Sequence, residues 1–162
     1  MTSSLDALVN TKMNKLTHPG ILRKDAIELH LHEITDAMPE KGYVPAYHFN
    51  IVLAGSPIKI GHTMFRIGYT NDLVWYCGHI GYGIDIEHRG HGYAAQSCLL
   101  LRNLAKYHGI DVVSLTCNPD NIASRRTCEK IGAELLGIVS LPEYLEMFQL
   151  GDREKCRYRW VL

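Results

Sequence analysis

Residues 89–94 read Arg-Gly-His-Gly-Tyr-Ala and stand at the head of an apolar run, AAQSCLLL. Glycines there let a backbone come close to a ligand. The helix that the run predicts would open with unpaired N–H groups and the positive end of its dipole. The chemistry this suits is the holding of an anion. Two familiar phosphate loops do not fit: no G-x-x-x-x-G-K-[ST] string occurs, and after Gly81 and Gly83 the third position of a G-x-G-x-x-G is Ile86. What remains is R-x-x-G-x-A, formed by Arg89, Gly92 and Ala94. A metal site is the rival chemistry. His30 and His32 stand two apart on one predicted strand, followed by Glu33 and Asp36. No further H-x-H or ligand cluster completes that pair, so no metal is expected.

The elements that must position these residues follow from periodicity. In AIELHLHEI, Ile27, Leu29 and Leu31 alternate with polar residues, and in AYHFNIVLA so do Tyr47, Phe49, Ile51 and Leu53. KIGHTMFRIGY and GHIGYGIDI continue the series across a YTND turn, which predicts four sequential antiparallel strands over residues 26–86. After Gly92 the period becomes helical, with Ala94, Ala95, Cys98, Leu99, Leu101, Leu104 and Ala105 on one wide face and a glycine stop at Gly109. A strand DVVSLTC, a helix from Asn121 to Ile131, a strand ELLGIVS and a final strand CRYRWVL complete the order. This is an α/β or α+β domain with a mixed sheet. Residues 1–20 are weakly patterned and read as an arm or short helix.

Composition narrows the function. The 162 residues fit one domain, 1–162, with no linker or repeat. Lys plus Arg equals Asp plus Glu at 17 each, which removes a general attraction to nucleic acid or anionic membrane, so any anion site is local. The five cysteines contain no C-x-x-C pair, which points to reduced, buried thiols. No leader-like or membrane-spanning apolar run is present, and a cytoplasmic location is expected.

The R-x-x-G-x-A string is followed at residues 118–132 by NPDNIASRRTCEKIG, in which Asn121, Ala123, Ser124, Arg126, Glu129, Lys130 and Gly132 spell N-x-A-S-x-R-x-x-E-K-x-G. Together these strings resemble the GNAT superfamily of acyl-CoA-dependent N-acetyltransferases, in the branch that acetylates protein N-termini and small amines. The resemblance covers roughly residues 46–162. It implies a mostly antiparallel central sheet of six to seven strands with flanking helices, two of whose strands splay apart to hold coenzyme A. It also implies acetyl-CoA as cosubstrate and an amine acceptor, either a small molecule or a protein N-terminus or lysine, with no nucleic-acid or membrane partner. The family often dimerises, so a homodimer is allowed.

By the same resemblance, backbone N–H groups of Arg89, Gly90, His91, Gly92, Tyr93 and Ala94 hold the pyrophosphate, and Ala94 must be small. Backbone groups of Ile84 and Ile86 pair with pantetheine, Asn121 and Ser124 touch the pantetheine and phosphate region, and Arg126 stands near a phosphate. Asn121 can also cap its helix. Acetyl transfer needs a neutral amine, a polarised carbonyl and a proton for the departing thiolate. Many relatives carry a tyrosine as the acid, where this chain has Cys128. His79 and Glu87 are the candidate bases. The segment LPEYLEMFQLGDREK lies where relatives build an acceptor wall, with Glu143, Glu146 and Glu154 to attract a cation and Tyr144, Met147 and Phe148 to pack its carbon frame. A non-catalytic acyl-CoA sensor, and covalent transfer through Cys117, are the remaining alternatives.

Overall fold

The computed structural model describes residues 14–162. The arm or short helix expected over residues 1–20 falls mostly outside them; residues 14–20 take no regular structure, and Leu16 rests against the core. Eight strands follow in two hydrogen-bonded sheets. In the first, β1 (Leu22–Lys24), β2 (Ile27–Thr35), β3 (Ala46–Leu53), β4 (Lys59–Arg66) and β5 (Ile80–Ile84) are neighbours in chain order. In the second, β8 (Glu154–Val161) lies between β6 (Val112–Cys117) and β7 (Glu134–Ser140). All ladder pairings are antiparallel.

Alternation decides which face is buried. Tyr47, Phe49 and Ile51 of β3, and Cys156, Tyr158 and Trp160 of β8, are all buried, and Ile27 and Leu29 of β2 join them. Side chains of this size stabilise the fold by about 1.5–3 kcal/mol each when fully buried. In β2 the alternation fails after Leu31, because the register skips from Leu31 to Glu33 and leaves His32 as the extra residue of a bulge. His30 turns its Nε2 to Glu28 at 2.7 Å. The paired-histidine face is therefore broken, and among the described residues no three ligating side chains converge on a point.

The helix expected after Gly92 is split. α1 (Tyr93–Leu100) and α2 (Arg102–Tyr107) meet at Leu101, whose N–H bonds the Cys98 carbonyl three residues back and tightens the turn. Ala95, Cys98, Leu101, Leu104 and Ala105 carry the apolar face into the core. α3 (Ile122–Lys130) begins at Asn121, whose side chain accepts the Ser124 N–H at 3.1 Å, as its residue type at that position predicts. The YTND turn leads directly into a π-helical turn, Leu73–Cys77, and the β7–β8 connection contains a short α4 (Glu146–Gln149). Among the described residues no helix is long and apolar enough to cross a membrane.

The feature that positions the site is the meeting of the two sheets. β5 pairs only with β4, and β6 only with β8, so the two strands stand at facing sheet edges without a ladder between them. They are pinned at one end. The His79 N–H donates to the Ser114 carbonyl at 2.7 Å, and the Ser114 N–H donates to His79 Nδ1 at 2.9 Å. Beyond that pin, the edge of β5 is free.

Candidate active site

Between the free edge of β5, the start of α1 and one face of α3 lies a cleft of about 480 Å³. Asp85 N–H bonds the Ile60 carbonyl and Thr63 Oγ1 bonds the Gly81 carbonyl, so the odd-numbered residues of β5 turn toward β4. By the alternation of an antiparallel ladder, Tyr82 and Ile84 turn their backbone groups to the open side. Arg89 Nε already donates to the Ile84 carbonyl at 2.8 Å, which ties the glycine loop to the strand.

α1 opens without a side-chain cap. Gly92 is its N-cap, at φ +76°, and the first helical bond runs from Gln96 N to Gly92 O. The N–H groups of Tyr93, Ala94 and Ala95 therefore have no acceptor within the helix. Gly92 also permits a close approach: a Cβ there would come within 2.6 Å of Lys130 Nζ. Lys130 and Arg126 stand one turn apart on α3, and both line the cleft with His88 and Arg89. No carboxylate lines it among the described residues, in a chain with as many acidic as basic side chains. Four basic side chains and a helix N-terminus thus face one space, an arrangement that binds a multiply charged anion.

Most of the residues expected to hold the cofactor converge here: Ile84, Arg89, Gly90, Gly92, Tyr93, Ala94, Asn121, Ser124 and Arg126 line the cleft. Ile86 and His91 do not. β5 ends at Ile84, and Ile86 opens a 3-10 turn through His88 and is 74% exposed, so it lies past the strand, and the residue that shares Ile84's open side is Tyr82. His91 stacks on Tyr93 with ring centroids 5.2 Å apart and turns Nδ1 to the His88 carbonyl. Its backbone remains part of the loop.

The three catalytic candidates fare differently. His79 is buried, with Nδ1 accepting from Ser114 N–H and Nε2 donating to the Gly68 carbonyl at 2.9 Å. Both ring nitrogens are committed, and burial pushes its pKa down to about 4. The imidazole is neutral and has no lone pair left for a substrate proton, which corrects its assignment as base. Glu87 is exposed in the 3-10 turn and does not line the cleft. Cys128 is buried behind the cleft-facing side of α3 among Cys98, Cys117 and Cys156, and burial raises its thiol pKa well above the ordinary value. It packs the core, which corrects its assignment as acid. Cys117 lies opposite Cys156 in the β6–β8 register, and burial pushes its thiol up to about 11, the reverse of an activated nucleophile.

Tyr82, His88 and Thr127 line the cleft although the motif reading did not single them out, and Lys130, named there only as part of the motif string, was given no role. Tyr82 Oη lies 2.7 Å from Ser124 Oγ, and burial raises its phenol pKa far above the ordinary value, so it stays protonated. A signal for Thr127 and Lys130 as cleft residues existed in the sequence. Ala123, Arg126, Thr127 and Lys130 follow three- and four-residue spacing and so share one helix face.

The acetyltransferase (GNAT) domain family matches residues 10–134, and the chain belongs to that family of acetyltransferases. Solved structures agree on the fold. The GNAT-family acetyltransferase from Bacillus anthracis is 23% identical, with a TM-score of 0.55 over 70% of this chain and 65% of that one. The microcin C7 self-immunity acetyltransferase MccE, solved with acetyl-CoA and AMP, is 22% identical, with a TM-score of 0.56 over 76% of this chain and 63% of that one. The acetyltransferase from Salmonella typhimurium that modifies the N-terminal serine of ribosomal protein L7/L12 is 20% identical, with a TM-score of 0.63 over 88% of this chain and 99% of that one. The chain thus spans just under two thirds of the first two and nearly all of the third. A comparison with the curated proteins finds no match.

Proposed function

We propose that the chain moves the acetyl group of acetyl-CoA onto a primary amine by direct attack in a ternary complex. The observation that carries this reading is the cleft at the uncapped start of α1, lined by four basic side chains and, among the described residues, no carboxylate, beside the edge of β5 that has no ladder partner there. A pyrophosphate suits the Gly90–Ala94 amides with Arg126 and Lys130, and the pantetheine amides suit the open backbone groups of Tyr82 and the N–H of Ile84. In the reaction the amine nitrogen, as free base, bonds the acetyl carbon while the C–S bond breaks; the nitrogen sheds one proton and the thiolate takes one up. A backbone N–H on the β5 edge polarises the carbonyl. Tyr82, whose hydroxyl is held against Ser124 Oγ at the cleft wall, supplies the thiolate's proton.

Tyr82→Phe therefore lowers kcat by about 100-fold and leaves acetyl-CoA affinity unchanged; a kcat equal to wild type would remove the phenol from the mechanism. Lys130→Gln and Arg126→Gln each weaken acetyl-CoA about tenfold, and both flatten the loss of affinity with added salt. Calorimetry at two ionic strengths reads both effects.

The reading as a whole is tested by thermal shift with acetyl-CoA, followed by a panel of amines and peptides with free-thiol detection. Peptides belong in the panel because a relative of this fold acts on a protein N-terminus. Stabilisation by acetyl-CoA with no thiol released from any acceptor would assign the cleft to an acyl-CoA sensor. The family resemblance allows a homodimer, which light scattering of the purified chain tests.

A further inference from the structure

At the end of β5 away from the basic cleft, a second cationic group stands alone. Arg66, the last residue of β4, is half-buried, and its Nη1 donates to the Gly78 carbonyl at 3.1 Å. The same atom lies 3.8 Å from where a Cβ on Gly81 would be, so the guanidinium rests over the bare backbone of β5 one residue from Tyr82, which lines the cleft. Its other titratable neighbours are the Cys77 thiol, brought there by the π-helical turn, the Tyr43 phenol, and the His48 and His79 rings. Tyr43 gives its O–H to Glu146, at 3.1 Å, rather than leaving that carboxylate for the arginine. Among the described residues no carboxylate lies within 4.0 Å of Arg66, whereas the more exposed Arg159 pairs with Glu134 and Arg23 with Glu28. A guanidinium stays charged at any working pH, and taking it out of water without an anion is unfavourable. Its unused N–H groups form a planar fork suited to carboxylate or phosphate oxygens.

Building on the acetyl-transfer reading, we infer that Arg66 binds an anionic group of the acceptor, which makes the preferred substrates amines with a carboxylate or phosphate a few bonds from the nitrogen. The position fits. With the pyrophosphate at Gly90–Ala94 and pantetheine along Ile84 and Tyr82, the thioester end points toward Gly81, and an anion on Arg66 sets the amine beside it. Gly81 matters here because it carries no side chain to separate the guanidinium from the strand.

The test uses two matched pairs of acceptors, propylamine against β-alanine and ethanolamine against phosphoethanolamine, with saturating acetyl-CoA and free-thiol detection. In the wild type the anionic member of at least one pair is favoured about tenfold in kcat/KM, mainly through KM; which pair responds separates carboxylate from phosphate. In Arg66→Gln the preference falls to about twofold or less, and Arg66→Lys retains part of it. Equal rates within both pairs, no turnover of any of the four, or a preference that survives in Arg66→Gln overturns the assignment. Should Arg66→Gln fail to melt cooperatively, the comparison rests on Arg66→Lys, in which an undiminished preference is the overturning result. Thermal shift with acetyl-CoA on the wild type keeps the two readings apart. Its absence sinks acetyl transfer itself, while its presence without an anion preference sinks only the role of Arg66.

Discussion

Gly92→Ala weakens acetyl-CoA binding by about tenfold, as Lys130→Gln does, whereas Gly90→Ala, two residues earlier in the same loop, changes it about threefold or less. Both glycines have positive φ, +84° at Gly90 and +76° at Gly92, so alanine costs about 1–2 kcal/mol of backbone strain at either position. Only the surroundings differ. A Cβ at Gly90 meets nothing within 4 Å, while one at Gly92 arrives 2.6 Å from Lys130 Nζ and drives the ammonium off the loop. The lost interaction is a charged one at the uncapped start of α1, worth about 1.4 kcal/mol, the equivalent of tenfold. Calorimetry of the two variants, with melting curves to confirm equal strain, reads the contrast. Equal affinities for Gly90→Ala and Gly92→Ala would mean that the cofactor's phosphates do not sit at this turn.

The second large effect is on stability. Unfolding free energy falls as pH drops from 7.5 to 5, and His79 contributes about 2 kcal/mol of that fall. In the folded chain its pKa is about 4, against an ordinary value of 6.5, so between those values the unfolded chain binds the proton and the folded one does not. The stabilisation is complete above pH 6.5 and is lost as pH descends toward 4. The cause is burial; protonating Nδ1 would also set a positive donor against the Ser114 N–H. Half-buried His48 and buried His108 are shifted down by burial as well and add to the slope, so the measurement is the difference between wild type and His79→Gln. Denaturant titrations at both pH values show that variant less stable at pH 7.5 by about 1–3 kcal/mol, for the orphaned Ser114 N–H, with a flatter pH response. A wild type and variant with parallel pH responses would show that the imidazole is not held neutral in this clamp. Stopping at pH 5 keeps the comparison above the range in which Glu28 and Asp152, both with lowered carboxyl pKa values, take up protons.

The strands with strict alternation and the two motif-bearing helices were legible in the sequence because their signals are local. Ile27 and Leu29, Tyr47 to Ile51, and Cys156 to Trp160 each repeat at the two-residue period that a one-sided sheet requires. R-x-x-G-x-A and N-x-A-S-x-R likewise place a loop and a cap next to the helices they serve. The three-residue β1, the π-helical turn and α4 were not legible, since runs of three to five residues carry too little periodicity. Their place depends on what they pack against.

The basic cleft was thus written into the chain's own order, down to the glycine that lets Lys130 approach. The proton chemistry was not. Residue type nominated His79 and Cys128, but burial and hydrogen bonding between strands far apart in sequence committed one imidazole to a structural clamp and one thiol to the core. The same long-range packing set Tyr82 against Ser124 and, among the described residues, left no carboxylate within 4.0 Å of Arg66. Sequence by itself determined where an anion can be held, because a helix N-terminus and its glycines are local facts. Tertiary structure decided which side chains are free to react, because desolvation and partner choice depend on neighbours that no short stretch contains.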